Sequence, residues 1–275
     1  MEAPDERTNA LAMESNVNRT FLGRAAAAAA FVSIVIASSA SAAPVSDAYF
    51  GGTVSGYGDV VGHASIFDVH RFEAARAGTR LHVQIDTNFA GNAGVYASLT
   101  ATVAGGRNGI GYGDLFLAGD WAPFGPAPYT SDDHATGTHW TYAFSLDNRW
   151  SSTGGSGVLY RLDGATNNAN VLLSNDFLSG GIYRRGQVVA VDRMSRTVEA
   201  VGAGTWSVDG PNSKLLFDFD LAGSSLANDS TLALHWGMTC GNDVIEGVAN
   251  VPTPAVAPML ALGLLAGLRR RARTP

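Results

Sequence analysis

The sequence predicts an all-β fold: a single antiparallel β-sandwich or jelly-roll domain, with a short apolar helix at each terminus. Two observations predict it. Residues 43–250 consist of short stretches in which apolar and polar residues alternate, separated by Gly, Asn, Asp and Ser. Between the two ends there is no helical periodicity of about ten residues or more. No proline-rich or charged linker divides this stretch, so one domain is expected.

The predicted strands follow one another at regular spacing. In the segment KLLFDFDLAG, Phe217 and Phe219 alternate with Asp218 and Asp220, which predicts one packed face and one wet face. We interpret Asn242 and Asp243 as the turn after a final strand. The other strand segments are ASIFDVHRFEA, TRLHVQIDTNF, VYASLTATVA, HWTYAFSLD, GVLYRLDG, NVLLSND, GQVVAVD, GAGTWSVDG and TLALHWGMTC.

The charge of the middle segment excludes one class of function. Residues 43–250 carry 20 acidic and 11 basic side chains, a net charge of −9. Nucleic-acid binding needs clustered Lys and Arg, so no nucleic-acid partner is expected. The single cysteine, Cys240, rules out an internal disulfide, and we interpret it as a small buried apolar residue.

Residues 1–42 have the three parts of an export signal. Arg19 and Arg24 precede an apolar run over 25–37, and small residues follow it. Cleavage after Ala42 places Ala40 and Ala42 at the positions that signal peptidase reads. The apolar run is too short for a permanent span. Met13 is an alternative start, and an alanine-rich cytosolic helix is the alternative interpretation.

The excess of aspartate suggests a structural Ca²⁺ site, with no other cofactor expected. The candidate ligands stand beside Gly or Asn in loop-like settings, and they are Asp59, Asp86, Asp114 and Asp120. The alternative is turn chemistry, since Asp side chains bond neighbouring backbone groups.

A second metal hypothesis rests on the segment SDDHATGTH. Its carboxylates and imidazoles are Asp132, Asp133, His134 and His139. These groups can bind a transition metal, but the histidine spacing matches no zinc pattern, and a polar loop is the alternative.

Aromatic residues concentrate between positions 121 and 150, where seven fall within 30 residues. They can form core or stack on sugars, and Trp121, Tyr129 and Trp150 are the candidate ligand-binding residues. No nucleophile motif such as G-x-S-x-G is present, so we assign no catalytic residue.

Residues 251–275 form a distinct tail. Uncharged residues fill 255–268, and a helix of that length spans about 21 Å, against about 30 Å for a bilayer core. Pro258 weakens its first turns. The cluster Arg269, Arg270, Arg271 and Arg273 then acts as a stop on the cytoplasmic side. The tail is therefore a marginal transmembrane helix.

In its order of parts the tail resembles the PEP-CTERM sorting signal of bacteria with exosortase systems. The family's Val-Pro-Glu-Pro-like motif corresponds to Val251, Pro252, Thr253, Pro254 and Ala255, with Thr in place of Glu. The resemblance implies an exosortase with a cysteine nucleophile that cuts at the motif. It also implies a transient inner-membrane intermediate, followed by the cell surface or extracellular matrix.

The middle segment is also similar to a subgroup of these exosortase-dependent proteins. The similar segments are GYGDLFLAGDWAPFG, HWTYAF, LSNDF, YRRGQVV and LHWGMTCGNDVIEG. This likeness implies no catalytic residues.

Together these features predict a non-enzymatic, exported surface or biofilm-matrix protein with a structural or adhesive role. Signal peptidase and an exosortase-like enzyme are the expected processing partners. The first alternative is a secreted carbohydrate-binding or carbohydrate-active protein, whose partner is an extracellular polysaccharide. The second is a membrane-anchored protein whose tail is never cut.

Overall fold

The computed structural model describes residues 43–52, 57–101, 108–163 and 170–252. All of them belong to one compact unit, Ile36–Pro275. The predicted signal peptide, both terminal apolar helices, most of the sorting motif and the arginine cluster lie outside the described residues. Within them, no helix is both long and apolar enough to cross a membrane.

The described residues form twelve strands and two one-turn helices. The helices are α1 (Ala64–Phe67) and α2 (Ser174–Phe177). The strands are β1 (Val45–Ser46), β2 (Val69–Ala77), β3 (Arg80–Thr87), β4 (Leu115–Ala118), β5 (Tyr142–Leu146), β6 (Gly154–Leu162), β7 (Val171–Leu173), β8 (Val188–Val191), β9 (Val198–Asp209), β10 (Lys214–Asp220), β11 (Thr231–Gly237) and β12 (Val244–Asn250).

Ten of the strands form one antiparallel sheet in the order β1-β2-β3-β10-β9-β6-β5-β4-β11-β12. The sheet is nearly closed, because its last strand packs against its first two at a seam. At this seam a Cβ on Gly247 would lie 2.6 Å from Val45 Cγ1, so only glycine allows the strands to approach. The prediction of an all-β antiparallel fold is confirmed.

The main core fills the inside of this sheet. Phe144 of β5 stacks on Phe219 of β10, with ring centroids 4.5 Å apart, and meets Phe217 edge-on. On β10, Asp218 and Asp220 alternate with these two phenylalanines. They face outward and are half-buried, as the alternating sequence predicts. Each fully buried apolar side chain of this kind contributes about 1.5–3 kcal/mol to stability.

A second, smaller core covers the outer face of β4, β5 and β11. The separate hairpin β7–β8 lies over these strands and brings Val171, Val188 and Val191 against Phe116 and Ala143. Strands β4 and β5 are therefore buried on both faces. This arrangement explains why the sequence of β4, LFLA, contains no polar residue.

Three predicted strand segments are wrong in part. Residues 64–67 form the helical turn α1, and β2 begins only at Val69. In VYASLTATVA, Ala97–Leu99 form a 3₁₀ turn. In NVLLSND, β7 ends at Leu173 and α2 follows. In each case apolar residues reach the core from a single turn.

Three strands were missed by the sequence, and the shortest is the two-residue strand β1. Strand β4 has an uninterrupted apolar sequence because both of its faces are buried. Strand β12 follows Asn242 and Asp243, which we interpreted as the turn after a final strand. The interpretation as a turn is right, but the turn joins β11 to β12.

Candidate functional site

Three aspartates from distant parts of the chain meet beside the seam. Asp47 follows β1, Asp59 lies in the loop before α1, and Asp243 lies in the β11–β12 turn. One carboxylate oxygen from each of the three lies within 4.8 Å of the other two. The loop and the turn are joined by a 2.7 Å hydrogen bond from Val61 N to the Asn242 carbonyl. We call Asp47, Asp59 and Asp243 the acid triad.

Backbone amides hold two members of the triad. Asp243 is fully buried and accepts hydrogen bonds from Val69 N at 2.6 Å and from Val244 N at 3.0 Å. Asp47 Oδ1 accepts from Tyr49 N at 3.1 Å. By contrast, Asp47 Oδ2 and Asp59 Oδ1 are buried and accept no hydrogen bond within the described structure. Two oxygens of the triad are therefore left for another donor or for a cation.

The buried guanidinium of Arg184 supplies positive charge beside the triad. It is 1% exposed and is attracted to all three carboxylates. Its own hydrogen bonds go to backbone carbonyls, and their acceptors are Gly51, Gly52, Gly58 and Asp59. One cation against three ionised carboxylates leaves two negative charges, which matches the charge of a divalent cation.

Burial raises the pKa of every member of the triad. The pKa of Asp47 rises to about 8, first through burial and then through repulsion from Asp59. The pKa of Asp59 is raised by burial despite the opposing charge of Arg184. The pKa of Asp243 is raised well above its usual range by burial and by Asp47. The triad can lower this cost either by taking up protons or by binding a cation.

The donor set suits a hard cation. Three carboxylates offer up to six oxygens, and Ca²⁺ takes six to eight oxygen ligands, including water. The residues present contain no thiolate or imidazole that would favour zinc or copper at the triad.

The predicted calcium ligands divide between this site and three others. Asp59 belongs to the triad, whereas Asp86 pairs with Arg71 at 2.7 Å and Asp120 is exposed. Asp114 is fully buried and links three strands. It accepts hydrogen bonds from Ser145 Oγ, Leu146 N and Val191 N, and pairs with Arg149 at 3.1 Å. Its oxygens are thus already satisfied by protein donors.

Asp47 and Asp243 were not among the candidate ligands that the sequence offered. No local pattern connects them, since Asp47, Asp59 and Asp243 lie far apart in the sequence and only closure of the sheet brings them together. The sequence contains only a weak signal for Asp243 as a candidate ligand. It directly precedes an apolar stretch, and an aspartate that only forms a turn has the same position.

A second polar group gathers around Glu246 of β12, and we call it the aromatic–acid cluster. Trp121 Nε1 donates to Glu246 Oε2 at 2.9 Å, and His235 Nδ1 lies 2.9 Å from Glu246 Oε1. Tyr49 donates to Asp132 Oδ2 at 2.9 Å. Burial and the charge of Glu246 raise the pKa of Asp132 to about 6.

The imidazole of this cluster has acceptors at both nitrogens. His235 Nε2 lies 2.7 Å from the Val188 carbonyl, while Nδ1 faces Glu246. The Val188 carbonyl can only accept, so Nε2 carries the N–H that donates to it. The adjoining cavity is about 10 Å³, room for one water molecule and not for a substrate. The cluster thus supports the fold.

The other candidates from the sequence are not members of the acid triad. Trp121 and Tyr129 pack edge-on with ring centroids 5.4 Å apart, and both are half-buried. Trp150 is elsewhere and donates to the Gly109 carbonyl. Among the described residues, the acid triad is the one group placed to share a metal ion, so His134 and His139 join no such group. Cys240 is fully buried, and burial raises the pKa of its thiol.

Comparison with known proteins adds no family to this description. No protein-family model, no curated protein and no solved structure matches the chain.

Proposed function

We propose that this chain is an exported, non-enzymatic surface or matrix protein whose β-domain binds a structural Ca²⁺ ion at the acid triad. The observation that carries the proposal is the triad itself: three carboxylates, two of whose buried oxygens have no hydrogen-bond donor, beside a single arginine. Extracellular modules use calcium sites of modest affinity, with dissociation constants of about 10⁻⁴–10⁻³ M.

Calcium titration of the purified full-length chain tests the cation. Ca²⁺ at 100 times its dissociation constant stabilises by about 2.7 kcal/mol, which corresponds to a rise in Tm of roughly 5–11 °C for a domain of this size. Asp59→Asn removes this rise. Asp86→Asn, in the partly buried ion pair with Arg71, is the control outside the acid triad and retains it. No rise in Tm of the unaltered chain at about 100 mM Ca²⁺, which is 100 times the weakest of these dissociation constants, contradicts the proposal.

The proposed export and sorting are supported by where the folded strands begin and end. Strand β1 begins at Val45, three residues after the predicted cleavage at Ala42. Strand β12 ends at Asn250, directly before the motif that starts at Val251. Removal of both predicted segments would therefore leave every described strand intact.

Mass spectrometry of the mature protein from its native cells tests the sorting. We expect an N-terminus at Ala43 and a C-terminus within residues 252–255, with any attached mass identifying the acceptor. Surface material that retains residues 256–275, in cells with an active exosortase, contradicts sorting and favours the uncut membrane anchor.

Polysaccharide binding is a second candidate, favoured by the contact between Trp121 and Tyr129. Half-buried aromatic rings offer a face on which a sugar can stack. On a glycan array, Trp121→Ala would then abolish binding, while Trp150→Ala, on a different surface, would leave it unchanged. Equal loss in both variants would indicate a general effect on the fold.

A further inference from the structure

The outer face of β2, β3 and β10 carries an open groove of about 420 Å³. This volume lies within the range of about 300–1,000 Å³ that is usual for small-molecule sites. Two rows of outward side chains, which lie opposite one another in the strand register, line the groove. The first row is Glu73, Gln84 and Leu216, and the second is Ala75, His82 and Asp218.

Two side chains of β3 offer hydrogen-bond acceptors to a ligand in the groove. Gln84 Nε2 donates to Asp86 Oδ1 at 2.9 Å, so the Oε1 atom of this amide is left to accept from a ligand. His82 Nδ1 lies 2.7 Å from Asp218 Oδ2, and the imidazole side chain is 44% exposed. Because a carboxylate can only accept, the neutral imidazole keeps its proton on Nδ1 and has a lone pair on Nε2. A ligand that fits this groove therefore supplies several donors.

The Glu73 carboxylate gives the groove its excess negative charge. It lies 3.6 Å from Arg71 Nη2, too far for a hydrogen bond, whereas Arg71 pairs with Asp86 at 2.7 Å. Asp218 pairs with Arg80. On the outward positions of the three strands, four carboxylates face three basic side chains, which leaves one negative charge for a cationic ligand to complement. The carboxylates are Glu73, Asp86, Asp218 and Asp220, and the basic residues are Arg71, Arg80 and Lys214.

The groove also contains apolar surface beside these polar groups. Leu216 is 40% exposed, and Ala75, the smallest side chain of the two rows, leaves space between its larger neighbours. A sugar ring has the matching chemistry, because its C–H face is apolar while its hydroxyl groups donate hydrogen bonds. A simple alkylamine supplies the positive charge but only one donor group.

We propose that this groove binds a sugar unit that carries a free ammonium group. The hydroxyl groups donate to Gln84 Oε1 and His82 Nε2, and the ammonium group pairs with Glu73. The C–H face of the ring lies on Ala75 and Leu216. Such a ligand meets both the acceptors and the excess charge of the groove.

Isothermal titration of the full-length chain at neutral pH with glucosamine, glucose and cyclohexylamine tests the proposal. Glucose has a hydroxyl in place of the ammonium group, and cyclohexylamine has a six-membered ring and the ammonium group but no hydroxyls. We expect glucosamine to bind with a dissociation constant on the order of 1 mM, and each of the other two about tenfold more weakly, because each lacks part of the hydrogen bonding.

Two variants locate the ligand. Glu73→Gln keeps the size of the side chain and removes its charge, so it should reduce the preference for glucosamine over glucose to about twofold or less. Glu199→Gln, at a glutamate of β9 that is outside the groove and 59% exposed, should retain the preference. Ala75→Phe fills the groove and should weaken the binding of glucosamine and glucose by about tenfold or more.

Four results would overturn the proposal. The first is no saturation by about 20 mM glucosamine, about 20 times the expected dissociation constant. The second is an affinity for glucose or cyclohexylamine equal to that for glucosamine. The third is glucosamine binding unchanged in Ala75→Phe or Glu73→Gln, each shown to be folded by circular dichroism. The fourth is loss of glucosamine binding in a folded Trp121→Ala variant, which would place the sugar at the contact between Trp121 and Tyr129. The groove shares no residue with that contact or with the acid triad, so failure of this proposal leaves both of them unaffected.

Discussion

Asp243 accepts a 2.6 Å hydrogen bond from the backbone N–H of Val69, which fastens the β11–β12 turn to the first residue of β2. The same carboxylate belongs to the acid triad. The bond therefore connects the ionisation of the triad to the seam where the sheet nearly closes. The stability of the domain should depend on what neutralises these three charges.

The triad predicts opposite pH dependences with and without calcium. The folded pKa of Asp47, about 8, lies above the unfolded value of about 3.9. In chelator its contribution is therefore fully present below about pH 4 and is lost as pH rises through 8. The amide in Asp47→Asn does not ionise. Relative to this variant, the unaltered chain should therefore become less stable from pH 5 to 8. In excess Ca²⁺ the unaltered chain should gain relative to the variant over this range. Chemical denaturation at each pH measures both differences, and a pH-independent difference would contradict the assignment.

Asp114 should contribute far more to stability than Asp120, although both stand beside glycines in the sequence. Asp114→Ala leaves Arg149 buried without its partner and three donors without an acceptor. We expect a loss of about 3–5 kcal/mol in the free energy of unfolding. Asp120→Ala, at an exposed position, should change it by less than about 0.5 kcal/mol. Similar losses in urea denaturation would show that the Asp114 bonds are not specific.

Gly247 should be required for the seam. A Cβ at this position would lie 2.6 Å from Val45 Cγ1, so Gly247→Ala forces β1 and β12 apart and should cost about 1–3 kcal/mol. Gly155 on β6 is the matched control, because its nearest neighbour to an added Cβ lies at 3.6 Å. Hydrogen exchange of the Val45–Ser46 amides should rise in the first variant alone.

Val251 should behave as part of the folded domain, although it begins the predicted sorting motif. It is fully buried, and its N–H donates to the Ser230 carbonyl at 2.7 Å. Val251→Ala should cost about 2 kcal/mol in thermal or urea unfolding. Val248→Ala, at a residue 40% exposed on β12, should cost less than about 0.5 kcal/mol. Equal effects would indicate that Val251 is solvated.

The sequence predicts strands well where the two faces of the sheet differ. On β10, the alternation of Phe217 and Asp218 predicts one packed face and one solvent-facing face, and the structure has both. On β4, Leu117 faces the main core and Phe116 faces the smaller one. With both faces apolar, the period of two disappears, and this strand could not be distinguished from any other apolar run.

The site was less predictable than the fold for a related reason. Asp59 was a candidate because it follows a glycine in a loop, but this is true of many aspartates. Its partners Asp47 and Asp243 reach it only because the first and last strands of the sheet come together. A local pattern cannot encode this contact, so the sequence offered Asp59 as a candidate without the two carboxylates that meet it.

The seam also places the start and the finish of the folded chain side by side. Val45 lies against Gly247, only three residues before β12 ends. A short linker could therefore join the two ends, and the chain could be opened instead at an exposed turn such as Gly78–Thr79, between β2 and β3. A circular permutant of this design would keep every strand pairing and would lose only the covalent connection between β2 and β3. Its folding would show that the sheet does not depend on the order of its strands along the chain.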